Sequence, residues 1–418
     1  MKTKVMAIAV GLAIAGFIAD ANAAEEKLFT PIFSISQEYT DNVFDSKDNR
    51  RTDYITRLRP GFASIYQAAR WNWNVAYNLD YRYYARDSKT NDLSNDAAVK
   101  GSIAILENFF YLDLADTYKR VSLDTLRDET VASSFANQTE QNIATINPYL
   151  LWHPSQKTIL KTGYRYTDTR YWDTTGVDKK NHSGYADLTY ELTSKLNLLA
   201  NYTFSHQEAS DSIRYNKHDA SAGFKYNYAE KSYLYANGGY TWQDFSNNRS
   251  ARYLFWSGGI VHDFSIFIAT LETKRQTTED PLADSTRETS YLAKIEREFQ
   301  RGAASVFGSY TEYSNSYTNS GSGTGDRKKT AVGVTGRYEI IEGLTANAAL
   351  NGEHYEYSIP TADNFPYRLT GLAGLSWQMM KQLTLSLNYS HISNQYKIDK
   401  MAGGWATNRA ILEMKMVF

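Results

Sequence analysis

The sequence predicts an all-β chain that closes into a transmembrane, antiparallel, up-and-down β-barrel of about 20 strands, with about 18 as the alternative count. Three observations carry this. Apolar and polar residues alternate with period 2 over runs longer than ordinary strands. Short, tight connections alternate with long polar ones along the chain. The alternation continues to the last residue, in AILEMKMVF, where a soluble protein usually frays.

The chain opens MKTKVMAIAVGLAIAGFIADANAAEE. Lys2 and Lys4 supply a positive start, Val5 to Ile18 an apolar run, and Ala21-Asn22-Ala23 a small-x-small cleavage site. This is the layout of a secretory signal peptide over residues 1–23, leaving one barrel domain over residues 24–418. The apolar run is short for a spanning helix, which needs about 20 residues. No later segment is apolar enough to serve as one. Cysteine is absent, so packing and hydrogen bonding must hold the secreted chain together. A formal net charge of −1 and the lack of any basic run with interleaved aromatics argue against nucleic acid as a partner. Tyrosine, with 33 residues, suits half-buried pleated surfaces with one wet end.

The strands follow from the alternation. In WNWNVAYNLDYRYY, residues 71–84, Trp71, Trp73, Val75, Tyr77, Leu79, Tyr81 and Tyr83 share one face. Asn72, Asn74, Asn78, Asp80 and Arg82 lie on the other. The same pattern recurs over 182–192, 196–204, 218–228, 367–377 and 383–389, and less cleanly over 109–120 and 286–299. Short turns are expected near Ala68–Arg70, Glu107–Asn108, His153–Gln156, Thr193–Lys195, Ala229–Lys231, His262–Ser265, Gln300–Gly302, Ile341–Gly343 and Met379–Lys381. Long polar connections are expected at Asp45–Arg51, Arg86–Asn95, Ser122–Asn137, Ser314–Arg327 and Ser393–Gly404. Short periplasmic turns on one rim and long extracellular loops on the other are the signature of an outer-membrane barrel in a Gram-negative cell. Pro60 and Pro148 fall inside predicted strands, where each must mark a bulge or a break in the ladder.

Polarity decides between a membrane and a soluble barrel. A bilayer core offers no hydrogen-bond partners, so only helices and closed barrels span it. A soluble sandwich or propeller would have to bury the charges of the polar faces, at several kcal/mol each unless paired. A water-filled lumen removes that cost.

Chemistry is sparse. The seven histidines have no metal-ligand spacing, and SGSGTGDRKK, residues 320–329, lacks the spacing of a phosphate loop. Ser205 and His206 are adjacent, so on a strand they point to opposite faces and make a poor dyad. No catalytic, cofactor or metal residue is expected. The pore-lining candidates are Arg57, Arg59, Arg82, Arg165, Lys225, Arg337 and Arg368 among cations, with Glu191, Glu272, Glu296 and Glu353 as acidic counterparts. Two readings stay open for each: contact with a hydrophilic solute, or an ion pair bracing the wall between strands.

The stretch SISQEYTDNVFDSKDNRRTDYITRLRPGF, residues 34–62, resembles the opening of a family of outer-membrane β-barrel porins associated with exopolysaccharide and exosortase (PEP-CTERM) gene clusters. Glu38-Tyr39-Thr40-Asp41-Asn42-Val43-Phe44, Asp53-Tyr54-Ile55-Thr56 and Pro60-Gly61 carry the resemblance, which at motif level covers the first hairpin. It implies a barrel that helps export or assemble an extracellular polysaccharide, with outer-membrane lipid, that polysaccharide and its export machinery as partners. No site residue is carried over. The alternative is a structural barrel with a plugged lumen whose outer loops bind a matrix component.

In the tail, Leu412, Met414, Met416 and Phe418 alternate with Glu413 and Lys415. This is the expected closing strand, which presents an aromatic-terminated signal to the barrel assembly machinery. It should pair with the first strand near Phe33 and Ile35, leaving no free edge.

Overall fold

The computed structural model describes residues 26–123, 138–172, 176–210, 214–278, 285–317, 326–358, 365–395 and 404–418. The expected leader lies outside the described residues, as do most of the connections at Ser122–Asn137, Ser314–Arg327 and Ser393–Gly404.

Among the described residues twenty strands form. The first ten are β1 (Glu26–Thr40), β2 (Asp53–Gln67), β3 (Trp71–Tyr84), β4 (Asp92–Leu106), β5 (Phe110–Ser122), β6 (Gln138–Ser155), β7 (Thr158–Tyr171), β8 (Lys179–Thr193), β9 (Leu196–Ala209) and β10 (Arg214–Ala229). The second ten are β11 (Ser232–Phe245), β12 (Ser250–Asp263), β13 (Ile268–Thr278), β14 (Ser285–Phe299), β15 (Gly302–Tyr317), β16 (Arg327–Ile341), β17 (Leu344–Tyr357), β18 (Tyr367–Met380), β19 (Leu383–Gln395) and β20 (Trp405–Val417). Each pairs antiparallel with the next, and β20 returns to β1, so the sheet is closed. Phe33 stands opposite Met416, and Ile35 opposite Met414. The strands run from 11 to 18 residues. A tilted strand needs only about 9–11 to cross a bilayer, so most project beyond it.

All nine short turns form. The one at His153–Gln156 begins later than the sequence suggests, because β6 carries on to Ser155. Beside six of them the register shifts, for example between Asn227 and Ala229 or between Glu339 and Ile341. Left-handed residues at Asn108, Lys231 and Gly343 accompany three of these shifts. A turn closed by a left-handed residue and a bulge lets a twisted hairpin reverse tightly. Of the strand prolines, Pro31 in β1 pairs with Phe62 without a break, while Pro60 and Pro148 cause ladder breaks rather than bulges. Pairing of β2 with β3 lapses at Arg59 and Pro60, and of β6 with β7 at Asn147 and Pro148, yet the register is the same on both sides of each gap. A missing N–H costs a ladder bond but does not change the residue count.

The apolar side chains are on the outside. Leu254 and Val332 are each 60% exposed, while Glu38 and Asn42 are fully buried. This inversion of a soluble core is what lipid outside and polar lining inside demand. Among the described residues no helix is long and apolar enough to cross a membrane, and the strands make the crossing. The lipid face carries Trp242 near the long-loop rim and, at mid-strand, Tyr164 and Tyr202, which are hydrogen-bonded to His182 and His218 nearer that rim. Rings with one polar tip fit such an interface.

Candidate functional site

The inner wall of the barrel is the candidate site. Strand alternation places all eleven candidate residues on it: Arg57, Arg59, Arg82, Arg165, Glu191, Lys225, Glu272, Glu296, Arg337, Glu353 and Arg368 each alternate with lipid-facing neighbours. The structure then divides them by what holds their charge.

One group is braced by ion pairs. On β2 and β3, Arg57 donates to Asp80 at 2.6 Å, and Arg82 reaches the same carboxylate at 2.7 Å. Arg57 also lies 3.9 Å from Glu38 on β1. Arg59 spans the closing seam to Glu413 on β20 at 2.7 Å. On β16 to β18, Glu353 accepts Lys329 at 2.6 Å and the Tyr355 hydroxyl at 2.5 Å, with Arg368 3.9 Å away. Glu296 is paired with Lys294. The carboxylates largely neutralise these cations, so this part of the wall is stiff and locally compensated.

A second group is held on rings, with no carboxylate within 4 Å among the described residues, although Asp187 stands opposite Lys161. Arg165 on β7 lies 5.1 Å over the Tyr185 ring, and Lys225 on β10 lies 4.6 Å over Tyr233. Lys161, which the sequence does not single out from the polar face, sits 3.7 Å over Tyr149. A ring face steadies a cation by its quadrupole but leaves the full charge available. Among the described residues Glu272 accepts only the Tyr235 hydroxyl, at 3.4 Å. Glu191 is exposed near its turn.

The rings themselves are set in a register row. Tyr111, Tyr149, Gly163 and Tyr185 stand opposite one another on β5 to β8. Tyr111 and Tyr149 stack at 5.3 Å. Tyr185 lies across Gly163 and donates to Asn147 at 2.9 Å. A side chain at Gly163 would meet the Tyr185 hydroxyl at 2.5 Å, so glycine here makes the row possible.

A third feature lies in the connection over residues 41–52, part of the stretch that carries the family resemblance. It folds inward at the long-loop rim. Val43 packs against Ile55 and Tyr84, both on the inner face, with Phe44 beside them. Asp45 accepts Arg409 and Thr407 of β20 at 2.8 Å. The Asp41 carboxylate accepts the backbone and side-chain amides of Asn408, each at 2.8 Å. Asn42 donates to Ala406 O at 3.3 Å and to Ser46 O at 2.9 Å. Buried Asp53 accepts the Arg86 and Ser88 amides, tying in the next loop. Lys89 of that loop lies 5.3 Å over Phe44, and burial lowers its ammonium pKa. Periodicity marks Arg409 as inward but cannot reveal a partner across the whole chain.

Ser205 and His206 are kept apart. Ser205 bonds Ser183 on the inner face at 2.9 Å, and His206 bonds Asn216 on the outer face at 2.7 Å. Among the described residues no group of three or more His, Asp or Glu could hold a metal ion.

No protein-family model and no curated relative matches the sequence. By structure the chain is similar to the FrpB iron transporter from Neisseria meningitidis, with a TM-score of 0.58 at 10% identity over 93% of this chain and 82% of that one. It is also similar to the siderophore receptor PirA from Pseudomonas aeruginosa, at 0.53, 11%, 93% and 80%. The copper transporter OprC follows at 0.50, 9%, 93% and 80%. The class is therefore that of closed outer-membrane β-barrels. At these identities the likeness is one of fold.

Proposed function

We propose that this chain is an outer-membrane porin-like pore for hydrophilic solutes, with saccharides as the class that suits it best. In the cell it assists the export or assembly of an extracellular polysaccharide. The observation that carries this reading is the two-part wall. One sector is braced by ion pairs, and the other presents Lys161, Arg165 and Lys225 to the lumen on tyrosine rings. These cations make no ion pair within 4 Å among the described residues, so a passing solute can engage them. Barrels of about 16–18 strands already leave an aqueous channel, and this one has more. The resemblance of residues 34–62 supports the saccharide assignment. The fold neighbours support a transport role, since those proteins carry the names of transporters and receptors. The leader is cleaved near Ala23, and the chain is inserted by the barrel assembly machinery. A planar-bilayer recording tests the reading: a stepwise conductance is expected, and a folded barrel silent under all conditions would overturn it.

The inward connection over residues 41–52 favours a second reading, a surface barrel with a closed lumen whose loops bind a matrix component. In that case, deleting Ser314–Arg327 or Ser122–Asn137 would abolish matrix binding and leave the barrel folded.

A further inference from the structure

The wall is not uniform at its periplasmic end. Between β14 and β18, next to the turns at residues 300–301 and 342–343, it holds a concavity of about 440 Å³. That lies within the range of small-molecule sites, about 300–1,000 Å³. Its floor is low because Ala303 and Ala349 face the lumen where neighbouring strands carry long side chains. Arg337 stands in its side. Among the described residues no carboxylate, ring or hydrogen-bond acceptor holds the Arg337 guanidinium. Of the nearby acids, Glu296 pairs with Lys294 and Glu339 accepts the Gly343 amide at 3.1 Å, while Glu298 stands in the same register row as Arg337, across Ala303. Asn347, Thr335 and Ser305 complete the lining with groups that bond hydroxyls, and Ser305 and Thr335 share a bond at 2.7 Å.

We propose that this concavity is a subsite for a carboxylated sugar residue of the saccharide entering the pore. The inference rests on the pore reading above and names the ligand class for it. A guanidinium offers two parallel donors to a carboxylate, the strongest neutralisation a single side chain can give. The amide and hydroxyls on the same wall match the ring hydroxyls of a pyranose. Among the lining residues Lys294 and Glu296 cancel, which leaves Arg337 as the cation that faces a ligand. A position just inside the periplasmic mouth is where a chain to be exported is first engaged. One unpaired cation on an open wall binds weakly enough to release the next residue, as conduction requires.

The test uses the full mature chain folded in detergent and in planar bilayers, with tetragalacturonate and maltotetraose as probes. Calorimetry reads binding whether or not the lumen conducts. Tetragalacturonate is expected to bind more tightly than maltotetraose and to interrupt the current when added on the short-turn side. Arg337→Gln should weaken tetragalacturonate by about tenfold or more and affect maltotetraose far less. Arg337→Lys, which keeps the charge without the fork, should retain part of the affinity. Equal binding of the two sugars, or an Arg337→Gln variant that binds tetragalacturonate as the parent does, overturns the subsite and leaves the pore reading standing. An ion-conducting barrel that neither sugar binds overturns the saccharide reading and the subsite together.

Discussion

One guanidinium nitrogen of Arg409 donates to both carboxylate oxygens of Asp45, 2.8 Å from each, across 364 residues of chain. The Arg409 side chain is 2% exposed, Asp45 is 7% exposed, and fully buried Glu38 lies 3.7 Å from the same guanidinium. Removing the cation leaves two buried carboxylates facing each other. Arg409→Ala should therefore destabilise the barrel by about 3–5 kcal/mol. The readout is the denaturant midpoint of the folded band, whose electrophoretic mobility differs from that of the unfolded chain. An unchanged midpoint would show that the contact contributes nothing to closure.

Gly163 predicts a steric effect. A methyl group there meets the Tyr185 hydroxyl at 2.5 Å and the Tyr149 Cβ at 2.8 Å. Gly163→Ala should cost about 1–3 kcal/mol by forcing Tyr185 out of the row. In a Tyr185→Ala background most of that penalty should vanish, and a double-mutant cycle measures the coupling. Additive effects would mean that the two residues do not share the space.

The division of the wall predicts two kinds of charge variant. Arg165→Glu and Lys225→Glu remove cations held on rings, so ion selectivity should move toward cations while stability changes by no more than about 0.5 kcal/mol. Arg57→Glu places a carboxylate beside Asp80 and Glu38 and should lower stability sharply. Reversal potentials in a salt gradient and unfolding midpoints separate the two classes. If Arg57→Glu unfolds at the same midpoint as Lys225→Glu, the braced sector has no special role.

The last strand predicts a contrast between adjacent residues. Leu412 is 49% exposed on the lipid face, and Glu413 faces the lumen against Arg59. Leu412→Arg should cost about 2–4 kcal/mol if it sits near the bilayer midplane. Glu413→Gln should cost less, since Arg59 remains solvated by the lumen. For the proposed signal role, Phe418→Ala should slow assembly by the insertion machinery and leave the stability of the finished barrel nearly unchanged.

Much of the architecture was legible because its cause is local. Period-2 alternation assigns a face to each residue without knowledge of any partner, so all nine turns and the inward set, from Arg57 to Arg368, follow from short windows. What each inward charge does was not legible. Arg57 is braced and Arg165 is not, yet both sit on similar alternating strands. The difference lies in whether the diagonal neighbour on the next strand is Asp80 or Tyr185. Asp45 reads as an ordinary polar loop residue, because nothing near it in sequence announces Arg409. The two prolines were anticipated as bulges or breaks, and the unshifted register identifies them as breaks.

The Asp45–Arg409 contact also bears on the bore of the channel. Every other pair of neighbouring strands is connected directly in sequence, but β1 and β20 are the first and last strands of the sheet. A slip of two residues along that seam would keep every side chain on its proper face, so alternation alone cannot forbid it. Such a slip moves β20 by about 6.6 Å along β1, at about 3.3 Å per residue. That carries Arg409 out of reach of Asp45, and Asn408 away from Asp41. The total stagger of a closed sheet is its shear, and for a given number of strands shear and tilt together set the diameter. A hydrogen-bonded clasp at one rim thus selects a single shear, and with it the width available to whatever passes through.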